Sequence, residues 1–368
     1  MNTQSSSEPP FGAHDILPDI RLPNEEGKLL ILSNNQHGRG ILLLLCPDPR
    51  LDACRRQLRA FAACSSRLEP HVHLYGVTTS PPEINAEVIA EEALPFSLLS
   101  DLELRVARGL GVGHNLQPAA GAGEGAFTTI LTDANRRVLA MERGSTADDL
   151  AERTCHHIEA LPRTQPRSLG HFAPILYLPQ VLESALCQEL IARHEGGETQ
   201  DSRVMFTKGK VGEGEYRLDP AVKVRRDHFL EDPKLVSLIK LRFARRVLPE
   251  IEKAFTRRVT GVEEFKVVCY RAESGGHFRA HRDNVVDRHA HRRFAMTLNL
   301  NKGDYEGGEL WFPEYGPDLY SPETGDAVVF SCSLLHEARP VTKGQRYVFL
   351  SFMFDEESRQ LSPRFRRP

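Results

Sequence analysis

Hydrophobic positions in the first half of the chain alternate between short apolar runs and amphipathic stretches. The run from Gly40 to Cys46 is apolar at every position after the glycine, which is typical of a strand buried on both faces. The predicted order is strand 40–46, helix 52–63, strand 71–77, helix 84–92, strand 126–132, strand 137–143 and helix 148–161. Helices interleaved with strands predict an α/β fold with a largely parallel or mixed sheet.

The second half of the chain shows a different pattern. It opens with two predicted amphipathic helices, over 183–195 and 233–255. From Phe265 onward the apolar runs become short and are separated by glycine and proline. The predicted strands cover 265–270, 277–282, 294–300, 308–312, 326–331, 336–340 and 345–354. Seven short strands of this kind predict a β-sandwich or barrel.

The change of pattern predicts two domains joined by a segment rich in proline and arginine. A chain of 368 residues with 40% hydrophobic residues is long enough for two separate cores. We expect a disordered tail at 1–11, an α/β domain at 12–162, a linker at 163–172 and an all-β domain at 173–368.

Charge and cysteine content narrow the classes of partner. The net charge of −3 argues neither for nor against a nucleic-acid partner, but neither half is a polyanion-binding surface on charge alone, so we expect no such partner. The longest apolar run is too short to cross a membrane, and the N-terminus lacks a signal-peptide pattern. Seven scattered cysteines without a Cys-x-x-Cys pair fit a reducing compartment. We therefore expect a cytoplasmic protein with no membrane partner.

Three residues in the second half have the spacing of metal ligands. His281 and Asp283 are two positions apart at a predicted strand, where alternate side chains point to the same face. His336 stands 55 residues later, at the start of another predicted strand. Two histidines and one carboxylate on one face of an octahedron suit non-haem Fe(II) and leave three positions open. Those positions can accept O₂ and a chelating 2-oxo acid such as 2-oxoglutarate.

Two further residues are candidates for binding the carboxylate of 2-oxoglutarate. Arg346 lies ten residues after His336, on a strand that follows a predicted turn at 342–344. Its planar guanidinium matches a carboxylate in a two-hydrogen-bond pair. Tyr270 ends the strand before His281 and can donate a second hydrogen bond.

These residues, with the Glu306–Leu310 segment (EGGEL) and the strand 325–330, resemble the prolyl 4-hydroxylase-like branch of the 2-oxoglutarate/Fe(II)-dependent dioxygenases. The resemblance covers 169–356 and implies a double-stranded β-helix, or jelly roll. It also implies hydroxylation of a C–H bond, a requirement for L-ascorbate, and a prolyl residue of a peptide or protein as substrate. A free amino acid or small metabolite fits the sequence as well, and 208–223 and 284–293 are candidate substrate-facing loops.

The first half resembles a peroxiredoxin of the alkyl-hydroperoxide-reductase type, which implies a thioredoxin fold. The resemblance rests on Leu17–Pro23, Pro47, Cys54 and Phe96–Asp101. Pro47 lies seven residues before Cys54, the spacing of the peroxidatic cysteine in that family. A thiol in the first turn of a helix is favoured as the nucleophilic thiolate. Relatives of this type often pair, so a homodimer is expected.

The same half departs from the peroxiredoxin pattern around that cysteine. Leu51 stands where the family carries a threonine, three residues before the thiol. The family's later arginine has no counterpart between Arg108 and Arg136, although Arg55 and Arg56 are candidate replacements. These departures favour a degenerate module over a working peroxidase.

Three functional hypotheses follow from the sequence. The leading one is an Fe(II)- and 2-oxoglutarate-dependent dioxygenase. The second is a thiol peroxidase that uses Cys54. The third is a non-catalytic sensor that binds a metal or 2-oxoglutarate.

Overall fold

The computed structural model describes residues 10–113, 127–144, 147–162, 165–166, 168–207 and 214–365. The first nine residues of the predicted tail at 1–11 and residues 208–213 of the first candidate loop lie outside this described part. The chain divides into two compact units, Met1–Pro166 and Arg167–Pro368, and the division falls inside the predicted linker. Among the described helices, none combines the length and apolar character that a membrane crossing requires.

The N-terminal unit is built around a mixed five-stranded sheet. The strands of the whole unit are β1 (Arg21–Pro23), β2 (Leu29–Ile31), β3 (Gly40–Leu45), β4 (Val72–Thr78), β5 (Leu98–Ser100), β6 (Phe127–Thr132) and β7 (Val138–Gly144). Its helices are α1 (Asp52–Ala63), α2 (Ser65–Leu68), α3 (Pro82–Glu92), α4 (Arg105–Gly109) and α5 (Ala147–Glu159). The sheet order is β5-β4-β3-β6-β7, with β3, β4 and β5 parallel and β6 and β7 antiparallel. This arrangement confirms the predicted thioredoxin-like α/β fold.

Strand β3 is the centre of that unit because both of its faces are covered. Leu42 and Leu44 pack with residues of α1 and α5 in one apolar cluster. Ile41, Leu43 and Leu45 belong to the cluster on the opposite face. All five side chains are fully buried, which accounts for the unbroken apolar run in the sequence.

The C-terminal unit consists of two facing sheets and a layer of helices. Its strands are β8 (Leu176–Leu178), β9 (Gln200–Asp201), β10 (Val204–Thr207), β11 (Gly214–Arg217), β12 (Lys223–Val224), β13 (Arg226–Phe229), β14 (Gly261–Val262), β15 (Lys266–Arg271), β16 (His277–His281), β17 (Phe294–Asn299), β18 (Tyr305–Gly307), β19 (Leu310–Trp311), β20 (Leu319–Tyr320), β21 (Ala327–Ser331), β22 (His336–Ala338) and β23 (Val341–Phe354). Its helices are α6 (Ser184–Gly196), α7 (Pro233–Arg246), α8 (Leu248–Phe255) and α9 (Glu356–Arg359).

The two sheets are connected as a double-stranded β-helix. The larger sheet follows the path β8-β21-β17-β23-β15-β13-β9, and the smaller one follows β12-β16-β22-β19-β20. From β15 to β23 the chain passes back and forth between the two sheets, with β15, β17, β21 and β23 in the larger and β16, β19, β20 and β22 in the smaller. This alternation confirms the predicted jelly roll.

Helices α6, α7 and α8 cover the outer face of the larger sheet. Phe243 of α7 contacts Phe265 and Phe349, with ring centroids 5.2 and 6.0 Å away. Ile239 and Val247 are fully buried in the same cluster. Burying one such aromatic side chain contributes about 1.5–3 kcal/mol, so this layer fixes the sheet whose other face lines the cavity described below.

Two local predictions about this unit are wrong. The predicted helix 233–255 is two helices, because Pro249 cannot continue the hydrogen bonding of α7 and instead sits in the first turn of α8. The predicted turn at 342–344 is part of β23, since Gly344 and Lys343 pair with Tyr305 and Glu306 of β18. The strand therefore runs unbroken through Arg346.

Candidate functional site

The three predicted metal ligands meet at one point in the C-terminal unit. His281 ends β16 and is the direct cross-strand partner of His336, which begins β22. Asp283 lies in the turn just after β16, where its backbone N–H donates to the carbonyl oxygen of Cys332 at 3.0 Å. Its two carboxylate oxygens lie 3.5 Å from Nε2 of His281 and 3.3 Å from Nε2 of His336. The three donor atoms all lie within 4.8 Å of one another.

Backbone hydrogen bonds orient both imidazoles toward the carboxylate. Nδ1 of His281 lies 2.7 Å from the carbonyl oxygen of Arg279, and Nδ1 of His336 lies 2.9 Å from that of Leu334. A carbonyl oxygen only accepts, so each Nδ1 must carry a hydrogen, and in the neutral ring Nε2 then has the lone pair. That tautomer is the one in which metal-binding histidines are held.

The spacing and charge of the three donors fit a divalent metal ion. Bonds of about 2.0–2.2 Å place neighbouring ligand atoms about 3 Å apart, close to the separations observed. Burial lowers the pKa of His336 to about 4, so its imidazole is neutral at pH 7, as a ligand must be. Burial opposes ionisation of Asp283, but the nearby imidazoles of His336 and His281 outweigh it and hold the pKa of that carboxyl below its ordinary value.

Neighbouring side chains limit the solvent exposure of the three ligand residues. Arg282, between the two ligands, turns outward and pairs with Glu314 at 2.6 Å. The ring of Phe278 stacks on His281 with centroids 3.4 Å apart, and Phe330 lies edge-on to His336 at 4.6 Å. The exposed fractions of the ligand side chains are 19% for His281, 9% for Asp283 and 7% for His336. The remaining access is therefore from the His281 side.

Arg346 lines the same cavity from the larger sheet. It is 3% exposed and is the cross-strand partner of Tyr270 on β15. Its guanidinium carbon lies 5.6 Å from the ring centre of Tyr270 and 6.0 Å from that of Tyr305. Within the described part of the chain, its Nε has no hydrogen-bond partner. A buried cation in this state is costly without an anion, so the position fits a ligand carboxylate.

The EGGEL segment makes room for that arginine. Gly307 and Gly308 have φ angles of +76° and +70°, which non-glycine residues rarely adopt. A Cβ atom on Gly308 would lie 2.7 Å from Cδ of Arg346, and one on Gly307 would meet the carbonyl oxygen of Pro340. The two glycines thus allow β18 to cross close to β23 at Arg346.

Arg225 is a charged residue of the cavity that the sequence did not predict. Arg225 lines it together with Tyr270, and it lies between β12 of the smaller sheet and β13 of the larger sheet. The signal was present in the alternation of Lys223, Arg225 and Asp227, three charged residues that are all buried. Because the strands there are only two and four residues long, the apolar pattern did not predict them.

In the N-terminal unit, Cys54 lies in the first turn of α1 but is fully buried. A hydrogen bond with Cys54 and burial raise the pKa of Cys46 well above its ordinary range. Leu51 is 48% exposed and supplies no hydroxyl. Arg55, one of the two candidate replacements for the missing cation, pairs with Glu91 at 2.7 Å and with Glu92 at 2.9 Å. Its charge is already neutralised by two carboxylates.

Comparison with known families gives a separate match for each unit. Residues 265–354 match the family described as the 2OG-Fe(II) oxygenase superfamily, a range that contains the three donors, Tyr270 and Arg346. Residues 13–141 match the AhpC/TSA family, and this range contains Cys54. The chain joins an AhpC/TSA domain to a 2OG-Fe(II) oxygenase domain. Both resemblances seen in the sequence are thereby confirmed.

Curated relatives of this chain are hydroxylases by name. The human multifunctional procollagen lysine hydroxylase and glycosyltransferase LH3 is 28% identical over 190 residues, which cover 49% of this chain and 23% of that protein. A PKHD-type hydroxylase of Psychrobacter is 33% identical over 99 residues, which cover 24% of this chain and 38% of that protein. The chain thus spans less than half the length of these relatives.

Solved structures similar to this chain include a peroxidoxin and a prolyl hydroxylase. Peroxidoxin BcpB of Mycobacterium tuberculosis is 21% identical, with a TM-score of 0.37, and the match covers 42% of this chain and 99% of that one. A prolyl hydroxylase of Trichoplax adhaerens, solved with a peptide fragment of hypoxia inducible factor, is 19% identical, with a TM-score of 0.38. That match covers 51% of this chain and 87% of the other.

Proposed function

We propose that this protein is an Fe(II)- and 2-oxoglutarate-dependent dioxygenase that hydroxylates its substrate. The observation that carries the proposal is the group formed by His281, Asp283 and His336, with Arg346 in the same cavity. Two imidazoles and a carboxylate on one side of a metal leave positions for a chelating co-substrate and O₂.

In this proposal each residue has a distinct task. His281, Asp283 and His336 hold Fe(II), and bound Fe(II) with 2-oxoglutarate supplies the oxidising chemistry on dioxygen. Arg346 binds the distal carboxylate of 2-oxoglutarate and so fixes the direction in which the co-substrate points. Phe278 and Phe330 pack against the two ligand imidazoles and keep water away from the reacting atoms.

The substrate we propose is a side chain of a peptide or protein, with a prolyl residue as the first to test. The names of the curated relatives support a hydroxylase of polypeptide side chains, because they include a procollagen lysine hydroxylase. A requirement for L-ascorbate and a homodimeric state remain predictions from the two family resemblances.

The test is turnover of 2-oxoglutarate to succinate by the full chain with Fe(II). We expect His281→Ala to lose turnover and Fe(II) binding, while the matched control His171→Ala, an exposed histidine of the same unit, keeps both. Turnover is measured with proline-containing peptides and with cell extracts, and hydroxylated products are identified by their added mass of one oxygen atom. Turnover that survives in His281→Ala would contradict the proposal.

The same assays separate the two alternatives. A sensor would bind Fe(II) and 2-oxoglutarate in the wild type without forming succinate in any substrate screen. A thiol peroxidase would consume peroxide through Cys54 whether or not Fe(II) is present. We propose the oxygenase over the peroxidase because Cys54 is fully buried beside another thiol, whereas the metal-ligand group opens on a cavity.

A further inference from the structure

Arg225 occupies an unusual place in the oxygenase domain. It is the single residue between β12, at the edge of the smaller sheet, and β13, in the larger sheet. The chain therefore changes sheets at this residue, and its side chain is 6% exposed and lines the cavity that also holds Arg346. Burying a charged guanidinium is costly unless it is paired, so Arg225 requires a partner at this position.

Asp227 provides the pairing and fixes the direction of Arg225. Nε of Arg225 donates to Oδ1 of Asp227 at 2.9 Å, and Nη2 donates to Oδ2 at 3.3 Å. Ser202 and Lys266 also donate to Asp227, each at 3.1 Å. Because Asp227 binds Nε and Nη2, the remaining nitrogen of Arg225 is Nη1. It donates to the hydroxyl oxygen of Tyr270 at 3.0 Å.

The direction of that last hydrogen bond follows from chemistry. A guanidinium has only donors, so the oxygen of Tyr270 must be the acceptor. The phenolic hydrogen is then left to donate to another group. Among the described residues, Tyr270 donates this hydrogen to none, and the neighbouring Arg346 is itself a donor. Two donors, Tyr270 and Arg346, thus lie side by side in one cavity and share a need for an acceptor.

We propose that Arg225 is a positioning residue that makes Tyr270 a hydrogen-bond donor to the same carboxylate that Arg346 binds. The inference rests on the proposed function, since that carboxylate is the distal group of 2-oxoglutarate. Without Arg225, the phenol can rotate its hydrogen away, and its oxygen lone pairs can face the carboxylate and repel it. Arg225 acts through Tyr270 and does not itself touch the co-substrate.

A double-mutant cycle on the Fe(II)-loaded full chain tests this coupling. The dissociation constant of 2-oxoglutarate is measured without oxygen for wild type, Arg225→Lys, Tyr270→Phe and the double variant. Tyr270→Phe is expected to weaken binding about tenfold, the worth of one hydrogen bond to a charged group. Arg225→Lys is expected to weaken it by a similar factor, because the single nitrogen of lysine cannot both pair with Asp227 and reach the Tyr270 hydroxyl as the forked guanidinium does. The double variant is expected to bind no more weakly than Tyr270→Phe.

Controls separate positioning from a general loss of structure. Arg246→Lys makes the same replacement at another buried arginine that pairs with a carboxylate, Glu183, and its 2-oxoglutarate affinity should stay within about twofold. Asp227→Asn frees Arg225 without removing it and should weaken binding in the same direction as Arg225→Lys. In turnover, Arg225→Lys should raise the KM for 2-oxoglutarate while kcat at saturation and Fe(II) affinity are retained.

The outcomes distinguish this inference from the proposed function. If the wild type fails to bind 2-oxoglutarate, both are overturned. If the wild type binds it and neither Arg225→Lys nor Asp227→Asn weakens binding, only the role of Arg225 is overturned. The role is also overturned if the effects of Arg225→Lys and Tyr270→Phe multiply in full, because that result means the two residues act independently.

Discussion

Both domains retain key residues of their family motifs, but the surroundings of these residues differ. In the oxygenase domain, the three metal ligands line one cavity together with Tyr270 and Arg346, and the residue between the ligands, Arg282, turns away to pair with Glu314. In the AhpC/TSA domain, Cys54 keeps its place in the first turn of α1 but is fully buried. The comparison shows that a retained fold and a retained key residue do not amount to a retained site.

The difference lies in what surrounds each reactive group. The metal-ligand group has oriented imidazoles, a carboxylate and a buried arginine whose Nε lacks a partner in the described part of the chain. Cys54 has a second thiol, Cys46, as its neighbour, and the adjacent Arg55 is already bound by two glutamates. A buried arginine with an unpartnered nitrogen beside a group of metal ligands indicates an anionic ligand, whereas an arginine already bound by two carboxylates does not.

The largest expected effect separates the two domains directly. Asp283→Ala should lower succinate formation by at least about a hundredfold, because losing a metal ligand removes the bound metal. Cys54→Ser in the same assay should leave succinate formation within about twofold. Metal content per chain is measured alongside turnover.

Two results would contradict the contrast drawn between the two domains. Retained turnover in Asp283→Ala would mean that the metal binds elsewhere. A loss of turnover in Cys54→Ser, with its melting temperature unchanged, would mean that the thiol takes part in the oxygenase reaction.

The second-largest effect is expected for a substitution of the buried Arg346. Arg346→Met should raise the KM for 2-oxoglutarate by roughly 10- to 100-fold, since a charge-assisted hydrogen bond contributes about 1.5–3 kcal/mol. Fe(II) affinity should stay within about twofold, because Arg346 contacts none of the three ligands. Titration with 2-oxoglutarate at saturating Fe(II) gives the KM. An unchanged KM would show that another cation binds the co-substrate.

Much of the fold was predictable because the local patterns agree with the packing. The predicted helix 52–63 coincides with α1, and the seven predicted strands of the second half correspond to β15, β16, β17, β19, β21, β22 and β23. Except for β16, which has two exposed residues, those strands are mostly buried, so their apolar runs report directly on the core. The break between α7 and α8 was missed although Pro249 marks it.

The candidate site was predictable where its residues sit in a motif with fixed spacing. His281 and Asp283 are two apart, and their approach to each other needs only the end of one strand. Arg225 could not be found in this way, because its importance depends on Tyr270, 45 residues away, and on the contact between two sheets. Pairings of that range are set by the tertiary structure, and the alternating charged residues at 223, 225 and 227 do not by themselves indicate that they are buried.

A smaller effect tests how closely Arg346 is fitted. Gly308→Ala places a Cβ atom 2.7 Å from Cδ of Arg346 and should raise the KM for 2-oxoglutarate by roughly three- to tenfold, a partial loss of that interaction. Gly275→Ala is the matched control, since Gly275 has a similar φ of +68° and open space around it. Both should lose about 1–2 kcal/mol of stability from the positive φ. Equal KM values in the two variants would show that the close contact does not matter.

The smallest expected effect is in the AhpC/TSA domain. Leu51→Thr restores the hydroxyl that the peroxiredoxin family carries three residues before its cysteine. We expect peroxide consumption by the full chain to change by less than about twofold, because a hydroxyl at an exposed position does not open the fully buried Cys54 to peroxide. Consumption is measured with a thiol reductant, and Leu51→Thr combined with Cys54→Ser gives the background. A Cys54-dependent gain well above that background would mean that one side chain separates this domain from a working peroxidase, and that burial of the thiol is not the obstacle.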